Sequence, residues 1–146
     1  MGAIEPELQN LVRGIQIRFT RFYILVLGGR KITLPQYYVL ATLVSEGALP
    51  MNQVAKLLHI TKPAVTHLVD RLEAEGLIAR DSHPHDRRVF LLHLTDKGRK
   101  VARGVQKRFL EFITHTLSKI SREERATIKR FYQVLTHQLD KVLHHD

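Results

Sequence analysis

The chain has no cysteine among its 146 residues. That excludes disulfide scaffolds, thiolate zinc sites and thiol redox sensing. No apolar run approaches the ~20 residues a membrane-spanning helix needs, and Met1 to Asn10 lacks the apolar centre of a secretory signal. No membrane partner is therefore expected, and the cytoplasm is the expected location. Acid is scarce: 14 Asp and Glu stand against 23 Lys and Arg, a formal charge of +9. An excess of that size points to a polyanionic partner. Nucleophile motifs, phosphate-binding loops and paired carboxylates are also missing, so neither an enzyme nor a cofactor is expected. There is no internal repeat, and the His144-His145-Asp146 end reads either as native sequence or as an appended remnant.

What is present is mostly helical periodicity. Leu8, Leu11, Val12, Ile15, Phe19, Phe22 and Val26 recur at steps of three and four, predicting a long amphipathic helix that Gly28 and Gly29 break. Thr33 to Gln36 forms a Thr-x-x-Gln capping box for a second helix that ends at Gly47. Asn52 to Leu58 predicts a short helix. Thr61 caps the next one, in which Val65, Leu68, Val69 and Leu72 form the buried stripe and which Gly76 closes. A short helix, a tight turn and a longer helix is the helix-turn-helix order. Leu77 to Arg80 and Val89 to Leu94 then predict a hairpin around a polar turn at 82–86, the wing. Thr95 opens another long helix, and Ser121 to Glu124 is a second capping box before a last one. The expected fold is mainly α with a small β-hairpin wing: a winged helix-turn-helix with N- and C-terminal dimerisation helices. The parts are a first helix (1–33), a winged region (34–96) and terminal helices (97–146), all within one structural domain.

If the apolar stripe of the Thr61-capped helix is buried, Lys62, Pro63, Ala64, Thr66, His67, Asp70 and Arg71 lie outside. Short side chains near the start would let this helix approach the floor of a DNA major groove. There Thr66 and His67 would hydrogen-bond base edges, Lys62 would reach guanine or phosphate, Ala64 a thymine methyl, and Arg71 phosphate. The competing reading is an ordinary solvated helix face. Charge weighs against it: Arg87 to Arg108 holds eight basic residues against the single acid Asp96, and so seven of the nine net charges. Arg88 suits a minor groove, whose negative potential attracts arginine, with Asp86 bracing it through a bidentate pair. The DNA-contacting region thus extends from Met51 through Arg87 and Arg88 to about Arg108.

The runs Val54-Ala55-Lys56-Leu57-Leu58, Thr61 to Glu73, Gly76 to Arg80, Asp86-Arg87-Arg88 and Leu94-Thr95-Asp96-Lys97-Gly98 together resemble the multiple-antibiotic-resistance regulator (MarR) family of winged-helix repressors. The resemblance is close over about a third of the chain. It implies a dimer in which Arg88 enters the minor groove with Asp86 as its partner. Pro50 departs from it, standing where the family often has a Ser or Thr cap.

The terminal helices carry more apolar face than a small winged core covers, which a two-fold dimer would bury. The expected partners are double-stranded DNA with a palindromic operator, a second copy of the chain, and a small aromatic or anionic ligand that releases it. Candidate lining residues for that ligand are Arg18, Phe19, Phe22, Tyr23, Tyr37 and Tyr38, with plain helix core as the competing reading. No metal site is expected. Glu111 and His115, at i, i+4, are weak zinc candidates, with exposed polar positions the alternative. Two other functions compete with a ligand-released repressor: a winged-helix protein-interaction module, and a zinc-responsive regulator of the same fold.

Overall fold

In the computed structural model the described residues are 4–143, so the His144-His145-Asp146 end lies outside them. Contacts divide the chain into two compact units, Met1–Lys107 and Arg108–Asp146. Helix α1 runs over Pro6–Gly28, with Pro6 in its first turn, where a missing N–H leaves no bond unmade. The two glycines end it without either going left-handed. Gly29 stays right-handed, and the positive φ falls on Lys31 instead. Arg30 explains the exit: its backbone N–H donates to Leu27 O (2.8 Å) and its guanidinium to Val26 O (2.8 Å). A cation thus covers carbonyls that the last helical turn leaves open.

Helix α2, Leu34–Glu46, starts on the expected capping box: Gln36 accepts from the Thr33 N–H (2.8 Å) while its own N–H donates to Thr33 Oγ1 (3.4 Å). Gly47 ends it at φ +81°. A strand that the sequence reading did not anticipate follows, β1, Leu49–Pro50. Helix α3 then spans Met51–Leu57, entered from an extended Pro50 that makes no side-chain cap. The αL residue His59 turns the chain into α4, Lys62–Ala74, where Thr61 Oγ1 accepts from the Ala64 N–H (3.4 Å). Val65, Val69 and Leu72 are fully buried on it, beside Val39, Leu40 and Val54. A left-handed Gly76 closes α4 in a Schellman motif: Leu77 N–H donates to Leu72 O and Gly76 N–H to Glu73 O.

The wing is longer than expected and its turn tighter. Strand β2 covers Ile78–His83 and β3 Asp86–Leu94, so only Pro84 and His85 lie between them. Asp81 and Ser82 pair with Leu91 and Phe90, and the register shifts before His83 pairs with Asp86. These β2 residues face water along an outer strand, so no apolar alternation marks them in the sequence. The sheet order is β1-β3-β2, antiparallel throughout, with Leu49 opposite Leu92.

Helix α5, Asp96–Leu117, is stitched at its start to the end of α4. Thr95 Oγ1 donates to Gly76 O (2.6 Å) and accepts from the Gly98 N–H (3.0 Å), while Lys97 Nζ donates to Glu75 O (2.7 Å). Gly98 is buried directly against the Leu77 carbonyl.

The second unit contains the end of α5 and α6, Arg122–Leu143, whose Ser121–Glu124 capping box also forms (2.7 and 3.2 Å). Within it Phe131, Leu135, Leu139 and Val142 are exposed; in the first unit the same holds for Leu8, Leu11, Val12 and Ile15 of α1. Among the described residues no helix is long and apolar enough to cross a membrane.

Candidate nucleic-acid interface

The amphipathic spacing of α4 divides it as expected. Its buried stripe rests on the core, and Lys62, Pro63, Ala64, His67 and Arg71 are exposed opposite it. Thr66 is half-buried, and its one hydroxyl proton is directed inward, to Lys62 O (3.0 Å) or Met51 Sδ (3.2 Å). What Thr66 retains toward solvent is therefore acceptor capacity, suited to an amino group on a base edge rather than to a base acceptor.

Asp70 stands on the same outer face, where a free carboxylate would repel phosphate. It is ion-paired with Arg80 Nη2 of β2, whose Nε also lies 3.1 Å from Glu73 Oε2. That 3.1 Å contact lacks hydrogen-bond alignment, because Arg80 Nε has no hydrogen-bond partner among the described residues. The pairing fastens the wing to α4 and offsets the Asp70 charge on the surface that would meet DNA. The sequence reading missed it: the partners come together only when β2 folds back beside α4.

At the other end of the wing, Arg88 has a side chain 94% exposed. Asp86 Oδ1 accepts from the Arg88 backbone N–H (3.0 Å) and lies 3.5 Å from its Nε. One oxygen therefore serves both contacts, where the sequence had suggested a bidentate pair. A fork-to-fork arrangement would need both Asp86 oxygens turned to the guanidinium, and the backbone N–H holds Oδ1 in place instead. Arg87 occupies the intervening β3 position. Lys62 and Arg88 border one hollow of about 170 Å³ between the start of α4 and the wing, so the two predicted contact surfaces are continuous. On α5, Arg99, Lys100 and Arg103 are exposed, whereas Lys97 is occupied at the α4 C-terminus.

The aromatic residues proposed for a ligand pocket pack on one another. Tyr23 stacks on Tyr37 with centroids 5.6 Å apart, Phe22 meets Tyr23 edge-on at 6.1 Å, and Tyr38 tilts against Tyr37 at 6.1 Å. Burial, with smaller contributions from Tyr23 and Tyr38, pushes the Tyr37 hydroxyl up to about 12. Tyr23 moves the same way, again mainly through burial. Tyr38 keeps an exposed ring, Phe19 is half-buried on α1, and Arg18 folds back over Gly14. Glu111 and His115 sit one turn apart on α5, and among the described residues no three His, Asp or Glu side chains gather as a metal-binding set.

A helix-turn-helix whose second helix faces solvent, followed by a three-stranded sheet with a cationic wing, is a winged-helix architecture. Residues 32–90 match the MarR family. The chain is 35% identical over 121 residues to the HTH-type transcriptional repressor MdtR of Bacillus subtilis, spanning 78% of this chain and 76% of that one. Its fold is similar to that of a MarR family protein from Bacillus stearothermophilus (TM-score 0.85, 27% identity, 94% and 99% of the two chains). It is also similar to a mutant of S. aureus MepR bound to an oligodeoxyribonucleotide (TM-score 0.69, 28% identity, 90% and 97%). The chain belongs to the MarR family and is a DNA-binding transcriptional regulator.

Proposed function

We propose that the protein is a homodimeric repressor that reads a palindromic operator and is released by a small ligand. The observation that carries this reading is the continuity of the α4 start and the wing, with Lys62 and Arg88 on either side of one hollow. In it Pro63, Ala64, Thr66 and His67 approach base edges in the major groove, Lys62 reaches guanine or phosphate, and Arg71 takes phosphate. Arg88, steered by Asp86, enters the adjacent minor groove, and Arg87 adds charge to the same wing. The oligonucleotide-bound MepR structure and the repressor MdtR support this assignment by likeness.

The dimer follows from apolar area. Leu25 is 79% and Val142 72% exposed, and each unit carries an apolar helical row in water. Patches beyond a few hundred Å² are uncommon on monomers and mark contact surfaces. In the dimer the apolar row of α1 and the apolar row of α6 are each covered by the second copy, and the 34–96 winged region of each protomer is the reader. For the ligand, the exposed edge of the Tyr37–Tyr38 group offers an aromatic ring for stacking, so a small aromatic or anionic compound is the effector class we assign to it.

Two α4 helices on a two-fold axis would meet half-sites one helical turn apart, about 34 to 36 Å. Inserting five base pairs at the centre of the palindrome would put the second half-site on the opposite face of the duplex. Affinity for that duplex is expected to fall at least roughly a hundredfold, with the protein sedimenting as a dimer at micromolar concentration. Equal affinity for both duplexes, or a stable monomer, would overturn the dimeric reading.

A further inference from the structure

The hollow between Lys62 and Arg88 has an apolar lining that a purely electrostatic contact does not need. Met51, Val89 and Phe90 form it, with Asn52 beside them at the start of α3. Phe90 shares a face of β3 with Leu92 and Leu94, both buried, because alternate strand residues point the same way. Yet Phe90 itself is 48% exposed. The core face of the strand thus runs past the end of the core and finishes on an aromatic ring in solvent. The neighbouring Met51 thioether lies 3.2 Å from the Thr66 hydroxyl, so this lining touches α4.

Size and charge narrow the occupant. At about 170 Å³ the space falls below the ~300–1,000 Å³ typical of drug-sized ligand pockets. Its flanks are two cations. The occupant is then a small anionic group with an apolar part attached. DNA geometry supplies one: a protein reading a major groove with one element and the adjacent minor groove with another has a single sugar-phosphate strand crossing between them.

We propose that the hollow seats one phosphate–deoxyribose unit of that strand. Its phosphate lies against the Lys62 ammonium, with the stem of Arg88 running past it toward the minor groove, and its sugar lies against the Phe90 ring and Met51. The Asn52 amide supplies a further donor. This adds Phe90, Met51 and Asn52 to the DNA surface, and it rests on the α4-and-wing reading above.

Anisotropy titrations of the full chain over a range of salt test it, using a duplex from the gene's own promoter region and a scrambled duplex of equal length. Phe90→Ala is expected to weaken both duplexes by the same factor, about five- to tenfold, without changing the salt slope, because it removes an apolar contact and no charge. Phe90→Tyr should restore binding. Phe90→Glu, which places a carboxylate beside the phosphate, should cost about a hundredfold, and Lys62→Gln should lower the salt slope by about one per protomer, about two for the dimer. Phe90 is exposed, so thermal melts of these variants should match the parent.

Parental affinity of both Phe90→Ala and Phe90→Glu, with Arg88→Ala still weakened, would overturn the seat while leaving the α4-and-wing reading intact. A Phe90→Ala loss on the promoter duplex alone would overturn it too, since that marks a base contact. Parental affinity of Arg88→Ala as well would remove both.

Discussion

Replacing Arg88 by alanine is expected to weaken promoter binding by about 1–3 kcal/mol, roughly five- to 150-fold, with no change in folding. The side chain is almost wholly in solvent, and its charged contact among the described residues, 3.5 Å from Asp86, is an exposed pair of the kind that adds little to stability. Its removal should therefore leave the thermal melt where it was, and what is lost should be lost from the complex. The minor groove concentrates negative potential where it narrows, and an arginine inserted there gains more than a phosphate contact on the outer strand. Asp86→Ala should cost less, because the guanidinium remains and only its direction is freed. Fluorescence anisotropy on the promoter duplex decides the matter: parental affinity for Arg88→Ala would remove the wing from the DNA surface.

The second large effect concerns stability. In a helix, Gly→Ala ordinarily stabilises by about 1 kcal/mol, so propensity alone favours Gly98→Ala. The packing reverses the sign. A Cβ at Gly98 would overlap the Leu77 carbonyl oxygen and lie 2.8 Å from Leu77 C and 3.2 Å from its Cα. These are backbone atoms between α4 and β2, and that same carbonyl accepts from the Thr95 N–H at 3.1 Å. Relief requires moving α5 off the wing's base, with loss of the Thr95 bonds. Destabilisation of about 2–4 kcal/mol is expected, a Tm lower by roughly 5–15 °C, in the range of overpacked cores. Thermal unfolding followed by circular dichroism tests it, and a raised Tm would contradict the close docking of α5.

Much of the fold was legible because it is written in local terms. The row from Leu8 to Val26, the boxes at Thr33–Gln36 and Ser121–Glu124, and the Thr61 cap depend on neighbours three or four residues away, and each formed. What escaped depends on distant pairing. Strand β1 is two residues long and exists only because Leu49 and Pro50 lie along Leu92 and Leu91. The extra length of β2 is polar on its solvated side and carries no alternation. Lys31 takes the left-handed turn that two adjacent glycines advertised, since Arg30 closes α1 with the chain still right-handed at Gly29.

The site was legible to the same degree. Periodicity separated the exposed face of α4 from its buried stripe, because burial on one helix is a local matter. It could not tell that Asp70 is engaged by Arg80, that the Thr66 proton points inward, or that Lys97 caps α4. Phe90 reads in sequence as one more apolar strand residue. Its exposure emerges only from where the core ends.

We propose that α4 and the wing together read a specific DNA sequence. The most direct test is the ratio of affinities for the promoter duplex and a scrambled duplex of equal length, measured at one physiological salt concentration. Base readout by both copies of α4 predicts a ratio of about a thousand or more. A ratio near one, with both affinities falling together as salt rises, would show a cationic protein binding phosphate without reading sequence, and would rule out base readout by α4.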